Sequence, residues 1–385
     1  MGTQVSDSLV KARGQRQANL ELIRIISMVM IICLHAFLHG GLSDAIPEFS
    51  MKYYFSEVVL SVAQIAVNCY VLISGYFLIN SKFRIKKLLI LLAEVFFYSV
   101  LAYVVFSIKG DTVMDIKTLT NVFLPTLMRE YWFITTYVGL YAISPFLNIG
   151  IKAMSKAQHL GCVVVMFLLL SAWSNIMFTS KTLNTGGGYG FTWFIYLYIV
   201  AAYIRLHYKP NYHIKKPLII YLVLALLTPV WDVAMGLWSK TPSANFLSDD
   251  FFANGHNAMY HYDSCLVFLS SVAFFVLFIN IKIQNRIINK IIMFFAPCTL
   301  GVYLIHDNPY VRGWLWKTLN LPAYLWEWYF IPLLFVEILG VFVVCSVIDF
   351  VRQKMFSPIN KSRWLDTLCC KLERLPDKIK AKVLK

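Results

Sequence analysis

Residues 19–35 read NLELIRIISMVMIICLH, a run apolar enough to cross a membrane that still carries glutamate and arginine near one end and histidine at the other. An ionisable side chain at the centre of a bilayer costs about 2.5–3.5 kcal/mol on insertion scales, so such residues mark a cavity, a partner or a function. Similar apolar runs recur along the chain, over about 20–40, 57–79, 86–108, 131–149, 160–178, 190–206, 217–238, 262–281, 289–306 and 328–350. Each is long enough for a helix to cross a hydrocarbon core of about 30 Å. The expected fold is therefore all-α: a polytopic membrane protein of ten helices.

Composition agrees. Of 385 residues, 59% are hydrophobic and 14% charged, and the mean hydropathy is +0.64; a soluble domain carries about a quarter charged residues. With ten alternating helices and both termini cytoplasmic, the inner segments hold 27 of the 35 Lys and Arg. That asymmetry is the positive-inside pattern, so the formal charge of +15 reports orientation in a membrane and not affinity for nucleic acid. No small-residue cleavage site follows the first run, which reads as an uncleaved first helix. Six of the eight cysteines lie inside spans and no CxxC occurs, giving no support to disulfides or a zinc site. Three segments result: a basic cytoplasmic N-terminus (1–19), one transmembrane domain (20–350) and a basic tail (351–385) whose KSRWLDTLCCKLERL has amphipathic character suited to anionic lipid.

Within the first run, Arg24 and His35 are eleven residues apart, three turns plus about 20°, and project from nearly one face. Glu21 lies three residues before Arg24 and can pair with it. His35 then stands about 16 Å along the axis from Arg24. Past the second span comes a basic group, Lys82, Arg84, Lys86 and Lys87; it suits either a phosphorylated ligand or a positive-inside anchor. Asn68, Ser74 and Gly75 suit close helix packing or a cavity wall. The fourth span, REYWFITTYVGLYAISPFLN, contributes Glu130, Trp132, Tyr137 and Tyr141, and the ninth, PCTLGVYLIHDN, ends on His306 and Asp307. His306 reads as a second acid/base group or as an interface histidine. Glu94, Asp232 and Glu337 are further intramembrane acids. Tryptophans near the outer boundaries read as interface anchors or as sugar platforms.

These segments together resemble acyltransferase family 3, bacterial membrane enzymes that O-acetylate cell-envelope sugars. The likeness rests on Arg24 and His35 in the first helix, SGYFL followed by FRIKK, YWFITTY…SPFLN, GGGYGFTWFIYLYIVAAYIR, and the late LGVYLIH. It covers about residues 15–350. The resemblance implies acetyl-CoA as cytoplasmic donor, a glycan or lipid-linked sugar hydroxyl as acceptor, no metal, and a bacterial plasma-membrane location. His35 would be catalytic with Arg24 as its helix partner. The family's cytoplasmic Arg-x-x-Arg falls on Arg84 and Lys87, where lysine keeps the charge and loses the bidentate fork; Lys82 would join them around the donor phosphates. Glu130, Trp132, Tyr137, Gly187 and His306 would face the acceptor. The competing reading is a transporter or flippase of a lipid-linked sugar, although no repeated half of the kind many transporters carry is visible.

Overall fold

The computed structural model describes residues 17–112, 114–176, 183, 185–246, 251–252, 255 and 258–373. The basic segment through residue 16, the tail beyond Glu373 and most of the 247–257 loop lie outside the described residues.

The described residues are helical, and eight helices are long and apolar enough to cross a membrane: Ala18–Leu38, Met51–Leu78, Ile85–Ile108, Trp132–Ala153, Lys215–Trp238, Ala258–Ile279, Arg286–His306 and Phe330–Asn360. The two remaining expected spans are shorter apolar helices, Lys156–Ala172 and Phe191–His207. Their apolar runs are interrupted for local reasons. Lys156–Ala172 finishes in a π-helical turn over Leu168–Ala172, while Phe191–His207 begins after the glycine turn 186–188, where each glycine has positive φ. Longer spans are broken too: in Ala258–Ile279 a 3₁₀ turn at Ala258–Tyr260 is separate from the helix that starts at Cys265. Met51–Leu78 kinks between Ala63 and Ala66, and a 3₁₀ turn at Ala296–Cys298, with Pro297 in it, divides Arg286–Phe295 from Thr299–His306.

Tertiary hydrogen bonds gather the basic connections at one end of the bundle. Asn19 Nδ2 donates to the carbonyl of Phe278 at 2.9 Å, Asn148 Nδ2 to Leu78 at 3.0 Å, and the Ile85 N–H to Glu373 Oε1 at 3.0 Å. Lys86 pairs with Asp366 at 2.6 Å. The tail helix Arg363–Glu373 thus docks on the start of Ile85–Ile108. This basic end is opposite the end that carries His39 and the short helix Pro309–Leu319.

Apolar side chains form two buried clusters, and the first helix belongs to both. Leu20 and Ile23 pack with 65–79, 193–204 and 267–279; Met28, Ile32 and Phe37 pack with 302–304 and 330–345. In a lipid environment close contact and hydrogen bonding hold helices together more than the hydrophobic effect does. Gly75 fits that rule: a Cβ there would lie 2.9 Å from Ala201 Cβ and 3.0 Å from Tyr198 Cα, so the two helices meet at close range. Asn68 is fully buried, receives the Trp193 Nε1–H at 3.0 Å and donates to the carbonyl of Tyr262 at 2.8 Å. The expected interface tryptophans divide. Trp193 and Trp316 are buried, whereas Trp314, Trp326 and Trp328 are exposed.

Candidate active site

Between the two clusters runs a cavity of about 1110 Å³. Its wall includes Glu21, Arg24 and Lys87 towards the basic end, and His35, His39 and Arg312 towards the other. Arg24 and His35 share this wall, as the helical period requires of residues eleven apart. Arg24 Nη1 donates to both oxygens of Glu21, at 3.0 and 2.8 Å. The Arg24 carbonyl accepts from the Tyr70 hydroxyl at 2.9 Å. The guanidinium is therefore held at the wall by its own helix, whose backbone is tied in turn to the 66–78 helix.

His35 meets a second imidazole. Its Nδ1 is 3.0 Å from Nε2 of the fully buried His306, and His306 Nδ1 is 2.6 Å from the Val302 carbonyl. A carbonyl only accepts, so His306 carries its hydrogen on Nδ1 and presents a lone pair at Nε2. His35 must then donate from Nδ1, which leaves its Nε2 unprotonated on a side chain that lines the cavity. The tautomer of His35 is set by the other ring nitrogen's bond, the usual means by which a protein fixes an imidazole. Asp307 Oδ1 lies 3.6 Å from His35 Nδ1 and accepts from Arg312 Nη1 at 3.1 Å. The carboxylate thus sits beside His35 while the guanidinium holds it.

The elements explain this placement. Thr299–His306 ends at His306, with Asp307 as C-cap and Asn308 capping the next helix through Tyr310. Asn308 Nδ2 also donates to the Tyr131 hydroxyl at 2.8 Å, which in turn donates to the Leu304 carbonyl at 2.9 Å. Lower on the same helix, Gly301 leaves room for Asp349, since a Cβ there would collide with its carboxylate. Asp349 is fully buried and bonded by Tyr98, Arg352 and Gln353 at 2.8, 2.7 and 2.6 Å. Glu94 pairs with Arg352 at 2.8 Å. These charges tie Ile85–Ile108 to Phe330–Asn360 and lie off the cavity.

Trp132 lines the cavity beside Tyr189 and Tyr262, with ring centroids 4.5 and 6.3 Å away. Tyr137 lines it too, stacked on Phe133 at 6.2 Å. Other expected site residues sit elsewhere. Gly187 is not in the wall; its carbonyl accepts the Tyr262 N–H at 3.1 Å, and a Cβ on Gly188 would lie 2.5 Å from Tyr262 Cβ. Gly188 lets the loop pass close behind Tyr262.

Glu130 is half-buried just before Trp132 and also off the wall. Burial raises its carboxyl above the ordinary range, while Arg312 opposes the shift. Of the basic cluster, Lys87 reaches the cavity, Lys82 and Arg84 are exposed away from it, and Lys86 turns to Asp366. The reason is local: the Arg84 backbone caps the Ile85–Ile108 helix and exchanges hydrogen bonds with the Tyr141 hydroxyl at 3.1 and 3.2 Å. Asp232 accepts from Tyr53 at 3.2 Å.

His39 and Arg312 are site residues that periodicity did not single out. His39 stands four residues after His35, a spacing that puts both on one face. Their rings are 5.0 Å apart. Partial burial and then Arg312 hold the His39 imidazole below its usual pKa. Nothing in the sequence pointed to Arg312.

The family model described as an acyltransferase domain, acyltransferase family 3, matches residues 17–350. The chain belongs to acyltransferase family 3. An amino-acid racemase of Enterococcus faecalis is 26% identical to this chain over 313 residues, 76% of this chain and 40% of the racemase. The chain therefore spans well under two thirds of that relative's length. No solved structure matches it.

Proposed function

We propose that this acyltransferase moves an acetyl group from cytoplasmic acetyl-CoA to a hydroxyl of a cell-envelope or exported glycan, in the plasma membrane of a bacterium. The observation that carries the reading is the unprotonated Nε2 of His35 on the wall of a cavity that extends from Lys87 to His39. Lys87 at the basic end offers charge to the donor's phosphates. The pantetheine arm, about as long as the 16 Å rise from Arg24 to His35, then brings the thioester to His35. Trp132, Tyr189 and Tyr262 provide flat faces for a sugar ring.

In the reaction His35 Nε2 takes the acceptor's hydroxyl proton as the O–C bond forms. The C–S bond breaks, thiolate leaves, and the imidazolium returns the proton to sulfur, giving CoA-SH and the ester. The lone pair of His306 Nε2 and the nearby Asp307 carboxylate stabilise the transient imidazolium. Purified protein incubated with acetyl-CoA and envelope glycan should release CoA thiol and yield O-acetylated glycan; His35→Ala should do neither. Absence of thiol release across envelope glycans, together with flux of a lipid-linked sugar in vesicles, would replace this reading with transport, a use to which a cavity lined towards both ends also lends itself.

A further inference from the structure

The structure assigns a second property to the His35 corner: His35, His39 and Asp307 form a site for a divalent transition-metal ion, of which Zn²⁺ is the prime candidate. The three residues each offer one ligand atom, and these atoms all lie within 4.8 Å of one another. His35 Nδ1 and Asp307 Oδ1 are 3.6 Å apart, close to the edge of about 3.3–3.4 Å of a tetrahedron with bonds of about 2.0–2.1 Å. His35 and His39 have the i, i+4 helical spacing by which paired histidines grip zinc, and His39 keeps right-handed helical backbone angles as the C-cap. His39 is exposed, so the site is reachable from that end of the molecule. Two nitrogens and one carboxylate oxygen leave the fourth position to water or substrate.

The neighbouring charges define the competition. Arg312 Nη1 already bonds Asp307 Oδ1 at 3.1 Å, and His306 Nε2 takes the His35 Nδ1–H at 3.0 Å. Glu130 is a second acid within electrostatic reach of Arg312. A metal ion on His35 Nδ1 and Asp307 Oδ1 displaces the guanidinium from that oxygen and breaks the imidazole pair. A neutral imidazole bound to metal through Nδ1 carries its hydrogen on Nε2, which removes the lone pair needed for proton abstraction. Binding through Nε2 occupies that lone pair directly. Metal at this corner is therefore an inhibitor of acyl transfer, and this consequence rests on the functional reading above while metal binding itself does not.

The test uses tag-free full-length protein in detergent, titrated with Co²⁺ and followed by its visible absorption, then back-titrated with Zn²⁺. One equivalent should give tetrahedral cobalt bands that Zn²⁺ bleaches. His39→Ala should weaken binding by at least about 10-fold, the lower end of what even an outer-sphere partner contributes to metal affinity. Arg312→Gln, which keeps all three ligands, should tighten it. In parallel, Zn²⁺ should suppress CoA release, scored against each variant's own metal-free rate, with His39→Ala resistant. No cobalt bands at millimolar metal overturns the assignment, as do equal affinities for wild type and His39→Ala, or weaker binding by Arg312→Gln. Bands that depend on His39 in a protein that transfers no acyl group support the metal site and sink the acyl-transfer reading.

Discussion

At the level of single residues the site is a short relay, Val302 carbonyl to His306 to His35, and each link makes a distinct prediction. On the proposed mechanism His35→Ala removes the base and should lower acyl transfer by at least about 10²-fold, the lower bound of general acid–base help, with unchanged expression and membrane insertion. His306→Phe keeps His35 but takes away the acceptor for its Nδ1–H. The ring is then free to turn or change tautomer, and a displacement of about 1 Å can cost up to 10²-fold. Initial rates at saturating donor distinguish the two: His306→Phe should retain measurable kcat where His35→Ala does not. The stripe of Arg24 and His35 was legible because 3.6 residues per turn fixes which side chains share a face. The partner of His35 was not, for His306 lies 271 positions away and no periodicity links helices so remote in sequence. Arg312 escaped for the same reason, since its meaning comes only from Asp307.

At the level of elements, glycines decide where helices meet. Gly75→Leu forces a side chain into the Ala201–Tyr198 contact and should destabilise by about 1–3 kcal/mol, as overpacking does. Gly150, in the Trp132–Ala153 helix, has no atom within 4 Å of a built Cβ. Gly150→Ala should accordingly be neutral or stabilising by up to about 1 kcal/mol. Thermal unfolding of both variants in the same detergent checks the pair; equal melting points would refute the packing argument. The apolar runs marked where the helices lie, yet hydropathy windows pass over a kink such as Ala63–Ala66 or the π turn at Leu168–Ala172. The 186–188 turn shows the same limit. Gly187 is expected at the acceptor from the resemblance, and it lies off the cavity wall while its neighbour Gly188 makes space behind Tyr262.

At the level of the whole molecule, orientation and donor binding make linked predictions. If the basic end faces the cytoplasm, a cysteine introduced by Glu48→Cys in a Cys370→Ser background should react with an impermeant maleimide in intact cells, since Glu48 is exposed and pairs only with exposed Lys240 among its described charge contacts. The native Cys370, also exposed, should react only after permeabilisation. Reversal of that pattern would invert the topology. Lys87→Ala should raise KM for acetyl-CoA by about 10- to 100-fold, the equivalent of one charge-assisted hydrogen bond of about 1.5–3 kcal/mol. Lys82→Ala should leave KM unchanged, because Lys82 lies off the cavity. Charge counting in the sequence located the basic rim but could not rank its four cations, which depends on how Arg84 caps its helix and where Lys86 finds Asp366.

That last contact has a practical edge. Asp366 and Glu373 tie the tail helix to Lys86 and to the Ile85 N–H, the former one residue from Lys87 on the cavity rim. A reporter protein or affinity handle joined beyond Glu373 would pull on residues next to Lys87 on the cavity rim. Kinetic constants measured on such fusions would mix the protein's behaviour with the tether's, so the handle belongs on the other terminus.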